Sequence, residues 1–139
     1  KKKINRARNT ICFDIDGVIC KTIKSNYKSS VPIKKNIKVI NDIYKKGFIV
    51  KIFTARCMGR NFDNIKKAEK EIKKITLKQL KEWKVDYHKI FFGKPSYDLF
   101  VDDKSLFFKK NWSSSIKKKI NFWKNIKVKI KKIFHQFLL

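Results

Sequence analysis

The stretch TICFDIDGVICKT, Thr10–Thr22, carries an apolar run onto two carboxylates, Asp14 and Asp16, in a chain with 37 Lys plus Arg against 11 Asp plus Glu. Its β-branched residues from Thr10 to Ile15 suit a strand buried on both faces, as in a parallel sheet, and Gly17 breaks it. Residues 18 to 32, with SNYKSS and Pro32, read as loop. Beyond them Ile33, Ile37, Ile40, Ile43 and Tyr44 recur at helical spacing, and Gly47 stands where a C-cap glycine belongs. FIVKIF, residues 48–53, reads as a second buried strand closing on Thr54.

From Asn61 to Trp83 the spacing of Phe62, Ile65, Ile72, Ile75, Leu77, Leu80 and Trp83 gives one long helix or two. Thr76 with Gln79 three residues on resembles a capping box and favours a break there. KIFFG, residues 89–93, is a short third strand, and YDLFVDD, residues 97–103, a fourth that ends on Asp102 and Asp103. This alternation predicts a three-layer α/β domain over residues 1–110 with a central parallel sheet. Residues 111–139 form a tail of different character. From Ser113 onward it holds eight lysines and no acid. Ile116, Ile120, Trp123, Ile126, Ile130, Ile133, Phe134 and Phe137 fall three or four apart, which predicts a basic amphipathic helix with Ser115 as its N-cap.

Composition bounds the function classes. A length of 139 residues and 42% hydrophobic content give a folded domain with a core of its own. The formal charge of +26 invites nucleic acid or an anionic membrane as partner. Only Arg6, Arg8, Arg56 and Arg60 are arginines, the other 33 basic residues being lysine. Lysine, Ile and Asn share A/T-rich codons, so genome drift accounts for much of the charge, and a dedicated nucleic-acid reader would favour Arg forks. Three cysteines, Cys12, Cys20 and Cys57, without a CxxC pair indicate a reducing compartment. No apolar run of membrane-spanning length exists and KKKINRARNT lacks a signal-peptide core, so the expectation is a cytoplasmic protein. The first residue is Lys, so the chain reads as processed or cut from a longer one.

Four of the acids stand in two tight pairs, each at a predicted strand end. Clustered carboxylates need a cation or a proton to stabilise them. All-oxygen donors of this kind suit Mg²⁺, which binds through one or two carboxylates together with waters and phosphate oxygens. At the other strand ends Thr54 offers a hydroxyl followed by backbone N–H groups, and Lys94 a point cation. A metal, an oxyanion donor and a carboxylate on one sheet edge suit phosphoryl transfer, in which a carboxylate can act as nucleophile and another as general acid and base.

Taken in order, DIDGV, FTAR, GKPSYD and VDD resemble the four motifs of the haloacid dehalogenase superfamily of phosphatases, across residues 10 to about 110. The resemblance implies a Rossmann-like fold with Asp14 as nucleophile and Asp16 as acid/base. It implies that Thr54 and Ala55 bind the transferred phosphoryl group and that Lys94 holds it and the nucleophile. Asp102 and Asp103 would complete a Mg²⁺ site with the Asp14 carboxylate and the Asp16 main-chain carbonyl. ICFDIDGVICKT, FTAR and GKPSYDLFVDDK are also similar to small phosphatases of capsular-polysaccharide and sugar-phosphate pathways. That likeness implies a phosphorylated sugar or glycan precursor as substrate. Only residues 17–32 could form a flap, and Lys94–Asp102 has no room for an insertion, so the form implied has no sizeable cap.

Arg56 and Arg60 flank the phosphate motif. Arg56 is assigned to substrate, with a surface ion pair as the plain reading of either. Cys20 and Cys57 are expected to pack, and His88 and His135 to be structural or at the surface. Two rivals stand beside the phosphomonoesterase: a polynucleotide 3′-phosphatase on the same fold, and a basic binding module using the fold as a scaffold. The tail could also lie on an anionic membrane surface. Oligomeric state is not readable from the sequence.

Overall fold

The chain runs β1 (Thr10–Phe13), β2 (Cys20–Lys21), β3 (Val31–Pro32), α1 (Lys34–Lys45), β4 (Ile49–Thr54), α2 (Ile65–Glu82), β5 (Lys89–Phe92) and α3 (Trp112–Phe137). The structure, a computed structural model, describes residues 9–106, 109 and 111–137. These residues divide into two units, one up to Asp98 and one from Leu99 onward. The boundary at residue 110 read from composition lies inside the second unit.

In the first unit β1, β4 and β5 form a parallel sheet in the order β1-β4-β5. Phe13 faces Ile52 across the first pair, and Thr54 faces Phe92 across the second. Parallel neighbours need crossovers, and α1 and α2 supply them. The middle strand is the most buried, with Val50 and Ile52 fully enclosed, as expected of a strand covered on both faces. Helix α1 turns Ile37, Ile40 and Ile43 inward. It stops where Gly47, at φ +88°, takes a left-handed turn that L-residues resist. Expectation and structure agree on the placement of β1, α1, β4 and β5, and on an α/β architecture with a central parallel sheet, but β1, expected to be buried on both faces, is an outer strand with Thr10 and Cys12 exposed.

Strand β1 ends two residues earlier than its apolar run. Asp14 Oδ1 accepts the Ile15 N–H at 2.8 Å, and the Ile15 carbonyl gathers the N–H groups of Val18, Ile19 and Cys20 at 3.2, 2.8 and 3.1 Å. Local side-chain and turn bonds thus replace the ladder, with Gly17 at φ +86° allowing the turn. The segment expected to be loop holds a small antiparallel hairpin in which Cys20 faces Pro32 and Lys21 faces Val31.

Three expectations are corrected. Residues 65–82 form one helix, because Thr76 and Gln79 are interior positions whose side chains are buried and engaged elsewhere. The N-cap is Asn64, whose side chain accepts the Lys67 N–H at 3.0 Å. YDLFVDD is not a strand: Leu99 and Val101 are 81% and 87% exposed, and an apolar run without a ladder partner does not settle as one. Asp102 Oδ1 instead accepts the Lys104 N–H at 2.6 Å, an Asx turn.

The third correction concerns α3, which begins at Trp112, so Ser115 lies in its first turn and is not the cap. Its buried positions include Trp112, Ile116 and Ile120, while Phe122, Ile126, Val128 and Ile130 are exposed. The side chains of Ile133, Phe134 and Phe137 lie outside the described residues. Among the described residues no helix is long and apolar enough to cross a membrane.

Candidate active site at the carboxyl edge of the sheet

Because the three strands are parallel, residues that follow each of them gather on one edge. Asp14 follows β1, Thr54 ends β4, and Lys94 stands two residues after β5. The two outer strands lie about 10 Å apart, twice the spacing of neighbours. Lys94 closes that gap across the end of β4: its N–H donates to the Thr54 carbonyl at 3.1 Å, and its Nζ donates to Asp14 Oδ2 at 3.0 Å. The Lys94 side chain is 12% exposed and that of Asp14 is 33% exposed. Burial works to depress the Lys94 ammonium, but hydrogen bonding to Tyr97 and the charge of Asp14 outweigh it and hold the group above its ordinary value.

Thr54 is fully buried and its hydroxyl accepts the Arg56 N–H at 3.2 Å. Ala55 is half-buried beside it, its carbonyl accepting the Met58 N–H at 3.0 Å. The turn after β4 is therefore braced by its own first residue.

Asp16 is held by different partners. Arg56 Nε lies 2.9 Å from Oδ2 and 3.2 Å from Oδ1, and Nη2 lies 2.9 Å from Oδ1. Thr22 Oγ1 donates to Oδ1 at 2.5 Å and is itself 2.7 Å from Ser30 Oγ. The Arg56 side chain is completely buried. Burial lowers its guanidinium, but the hydrogen bonds and charge of Asp16 more than offset that. Two α2 residues complete its environment, since Nη1 donates to Gln79 Oε1 at 2.7 Å and to Thr76 Oγ1 at 3.2 Å. Gln79 Nε2 donates to the Tyr27 carbonyl at 2.6 Å, and the Tyr27 ring lies 5.1 Å from the Arg56 guanidinium.

Arg60 forms an exposed pair with Glu71 at 3.0 Å, in line with the plain reading. Cys20 and Cys57 are buried; burial pushes the Cys20 thiol up and that of Cys57 up to about 11. Neither is a reactive thiolate. His88 is structural, its Nδ1 accepting the Val50 N–H at 3.0 Å with its ring 4.5 Å from Tyr44.

The structure thus joins Asp14 to Lys94 and Asp16 to Arg56 on one edge. Asp102 and Asp103 are exposed and belong to the second unit. Among the described residues no three His, Cys, Asp or Glu side chains cluster as metal ligands. Thr22 and Ser30 had no part assigned from the sequence, and Thr76 and Gln79 were assigned only to a capping box. The signal for the α2 pair was present, since positions i and i+3 share one helix face, but that spacing equally describes a capping box.

No family model matches the chain, and no curated protein matches it. Among solved structures, a crystal structure of a structural-genomics target from Vibrio cholerae aligns with a TM-score of 0.66 at 23% identity, covering 80% of this chain and 98% of that one. The likeness is one of fold.

Proposed function

We propose that the chain is a phosphomonoesterase of the haloacid dehalogenase type, acting through an aspartyl-phosphate on a phosphorylated sugar or glycan precursor. The observation that carries this reading is the Lys94–Asp14 pair, 3.0 Å long, spanning the end of the middle strand over Thr54. A largely enclosed cation beside a partly exposed carboxylate is what an attack on a phosphoryl group needs: it orients the nucleophile and offsets the charge that develops on the phosphoryl oxygens.

The donor chemistry fits Mg²⁺, a hard cation that keeps several waters and needs only one or two protein carboxylates. Asp14 is a third exposed and can offer oxygen. The Asp16 main-chain carbonyl would supply a further donor, with waters filling the remaining positions. Bound Mg²⁺ would neutralise phosphoryl oxygens during transfer.

The chain's own residues divide the remaining work. An Asp14 oxygen bonds to phosphorus as the ester P–O bond breaks, and the leaving alkoxide takes a proton from Asp16. Asp16 Oδ1 accepts from both Arg56 and Thr22, whereas Oδ2 accepts from Arg56 Nε alone, so Oδ2 is the oxygen with a lone pair for that proton. Water then attacks the aspartyl-phosphate, gives its proton to Asp16 and releases phosphate. Thr54 and Ala55 shape the turn facing the phosphoryl group, and the ammonium of Lys94 balances it.

The test is phosphate release from sugar phosphates and p-nitrophenyl phosphate with and without Mg²⁺, followed by trapping with beryllofluoride or labelled substrate. Label on Asp14, and an inert Asp14→Asn protein, are expected. No release across the panel, or label on another residue, would sink the reading. Including 3′-phosphorylated oligonucleotides separates the sugar-phosphate reading from a polynucleotide phosphatase, the rival that the net charge of +26 keeps in view.

A further inference from the structure

We infer that Arg56 is a positioning residue for Asp16 and not a substrate ligand, and that Thr76 and Gln79 on α2 hold it in that role. The inference rests on the phosphoryl-transfer reading above and adds to it the residues that aim the proton donor.

A guanidinium has five N–H groups, and the structure accounts for each. Nε faces Asp16, Nη1 serves Thr76 and Gln79, and Nη2 serves Asp16 while also approaching Cys20 Sγ at 3.4 Å and Ser30 Oγ at 3.5 Å. With the side chain fully enclosed, no donor is left to meet a phosphate. The fork also does what a point charge cannot: contact through Nε and Nη2 fixes the plane of the Asp16 carboxylate as well as its distance. An ion pair with one partner fully enclosed and the other 28% exposed is a poor source of stability, because desolvation of the enclosed charge consumes much of the Coulombic gain. Its distinctive product is geometry.

The clamp reaches beyond one carboxylate. Thr22 and Ser30 flank the strands of the β2–β3 hairpin, and both belong to the polar cluster around Asp16. Gln79 links the far side of Arg56 to the Tyr27 carbonyl within the same hairpin. Asp16, the hairpin and the C-terminal half of α2 are therefore tied together by one side chain.

The experiment uses the full chain as wild type, Asp16→Asn, Arg56→Lys and Gln79→Met, with folding checked by near-UV circular dichroism. Gln79→Met serves where Arg56→Lys does not fold. Rates are compared on an alkyl phosphate, whose leaving group needs a proton, and on p-nitrophenyl phosphate, whose leaving group does not. Arg56→Lys and Gln79→Met should follow Asp16→Asn, losing roughly 10²-fold or more in kcat/KM, which reports the steps up to departure of the leaving group, on the alkyl ester and much less on the nitrophenyl ester. Equal losses on both esters, or an equal rise in KM on both, would overturn the inference, the latter by assigning Arg56 to substrate. The Arg56 Nε–H resonance, followed by ¹⁵N NMR, is a readout that needs no turnover. It should be protected from exchange in the wild type and should shift and lose protection in Asp16→Asn. An unchanged resonance overturns the positioning role even if no phosphate ester is hydrolysed, whereas a chain that keeps the NMR signature but releases no phosphate fails only the function.

Discussion

Gly93, which aims Lys94, provides the sharpest quantitative prediction. Its φ is +92°, and a Cβ there would sit 2.8 Å from Ile65 Cγ2, 2.9 Å from Cγ1 and 3.0 Å from Cδ1. Gly93→Ala therefore meets two separate costs. Holding an L-residue at left-handed φ costs about 1–2 kcal/mol. Overpacking costs about 1–3 kcal/mol, here at the lower end because Ile65 is 50% exposed and can lean outward. It cannot do so freely, since both Cγ atoms of a β-branched side chain are tied to one stiff χ1. The sum is about 2–4 kcal/mol, read as a drop in the urea midpoint at constant m-value. In an Ile65→Ala background the clash is gone and only the backbone part should remain, about 1–2 kcal/mol, so the double-mutant cycle returns the steric part directly. Phosphatase turnover should fall with stability, because the displaced residue precedes the Lys94 N–H bonded to the Thr54 carbonyl. A Gly93→Ala protein as stable as wild type, or one with the same penalty in both backgrounds, would refute the reasoning.

Further expectations concern other parts of the molecule. Lys94→Met should keep the fold yet lower kcat by roughly 10²- to 10³-fold, the loss typical of removing one charge-stabilising donor; unimpaired turnover would remove Lys94 from the chemistry. Cys57 ionises near 9.0 unfolded and near 11 folded. The unfolded chain sheds its proton first, so the contribution is whole below pH 9 and is lost as pH rises to about 11; urea midpoints across that window should fall less steeply in Cys57→Ala. With native protein a thiol reagent should modify Cys12, the exposed cysteine, well before Cys20 or Cys57; rapid labelling of all three would contradict their burial. Exposed Ile126, Val128 and Ile130 among the lysines of α3 should carry the full chain onto anionic vesicles, at about 1 kcal/mol per engaged lysine at low salt. Failure to sediment with them, or equal sedimentation with neutral vesicles, would rule this out.

What could be read in the sequence was whatever is written locally. Strands announce themselves as apolar runs, and both the buried Ile49–Thr54 and the partly exposed Lys89–Phe92 lie within a residue of the runs that predicted them. Helix α1 was legible because Gly47 does one thing that other residues resist. The meeting of Asp14 and Lys94 followed from parallel order, since successive strand ends must then share an edge. Tertiary choices were hidden. YDLFVDD has the pattern of a strand and no ladder to join, which no local feature reveals. Thr76 and Gln79 were ambiguous because i to i+3 spacing describes both a cap and two neighbours on one face. Arg56, two residues after Thr54, was assigned to substrate because its partner on α2, twenty residues further along the chain, cannot be read locally.

The Lys94–Asp14 bridge joins groups 80 residues apart in sequence, one after each outer strand of the sheet. During synthesis Asp14 and the Thr54 turn leave the ribosome well before Lys94, which links them. None of the helices or hairpins, forming alone, can make this contact. It requires β1, β4 and β5 to have docked in register, and closing so long a loop is slow compared with helix formation. Recovery of turnover after dilution from denaturant should therefore lag behind recovery of helical signal. Catalysis would be the last property the folding chain acquires, and the first that a slip in strand register takes away.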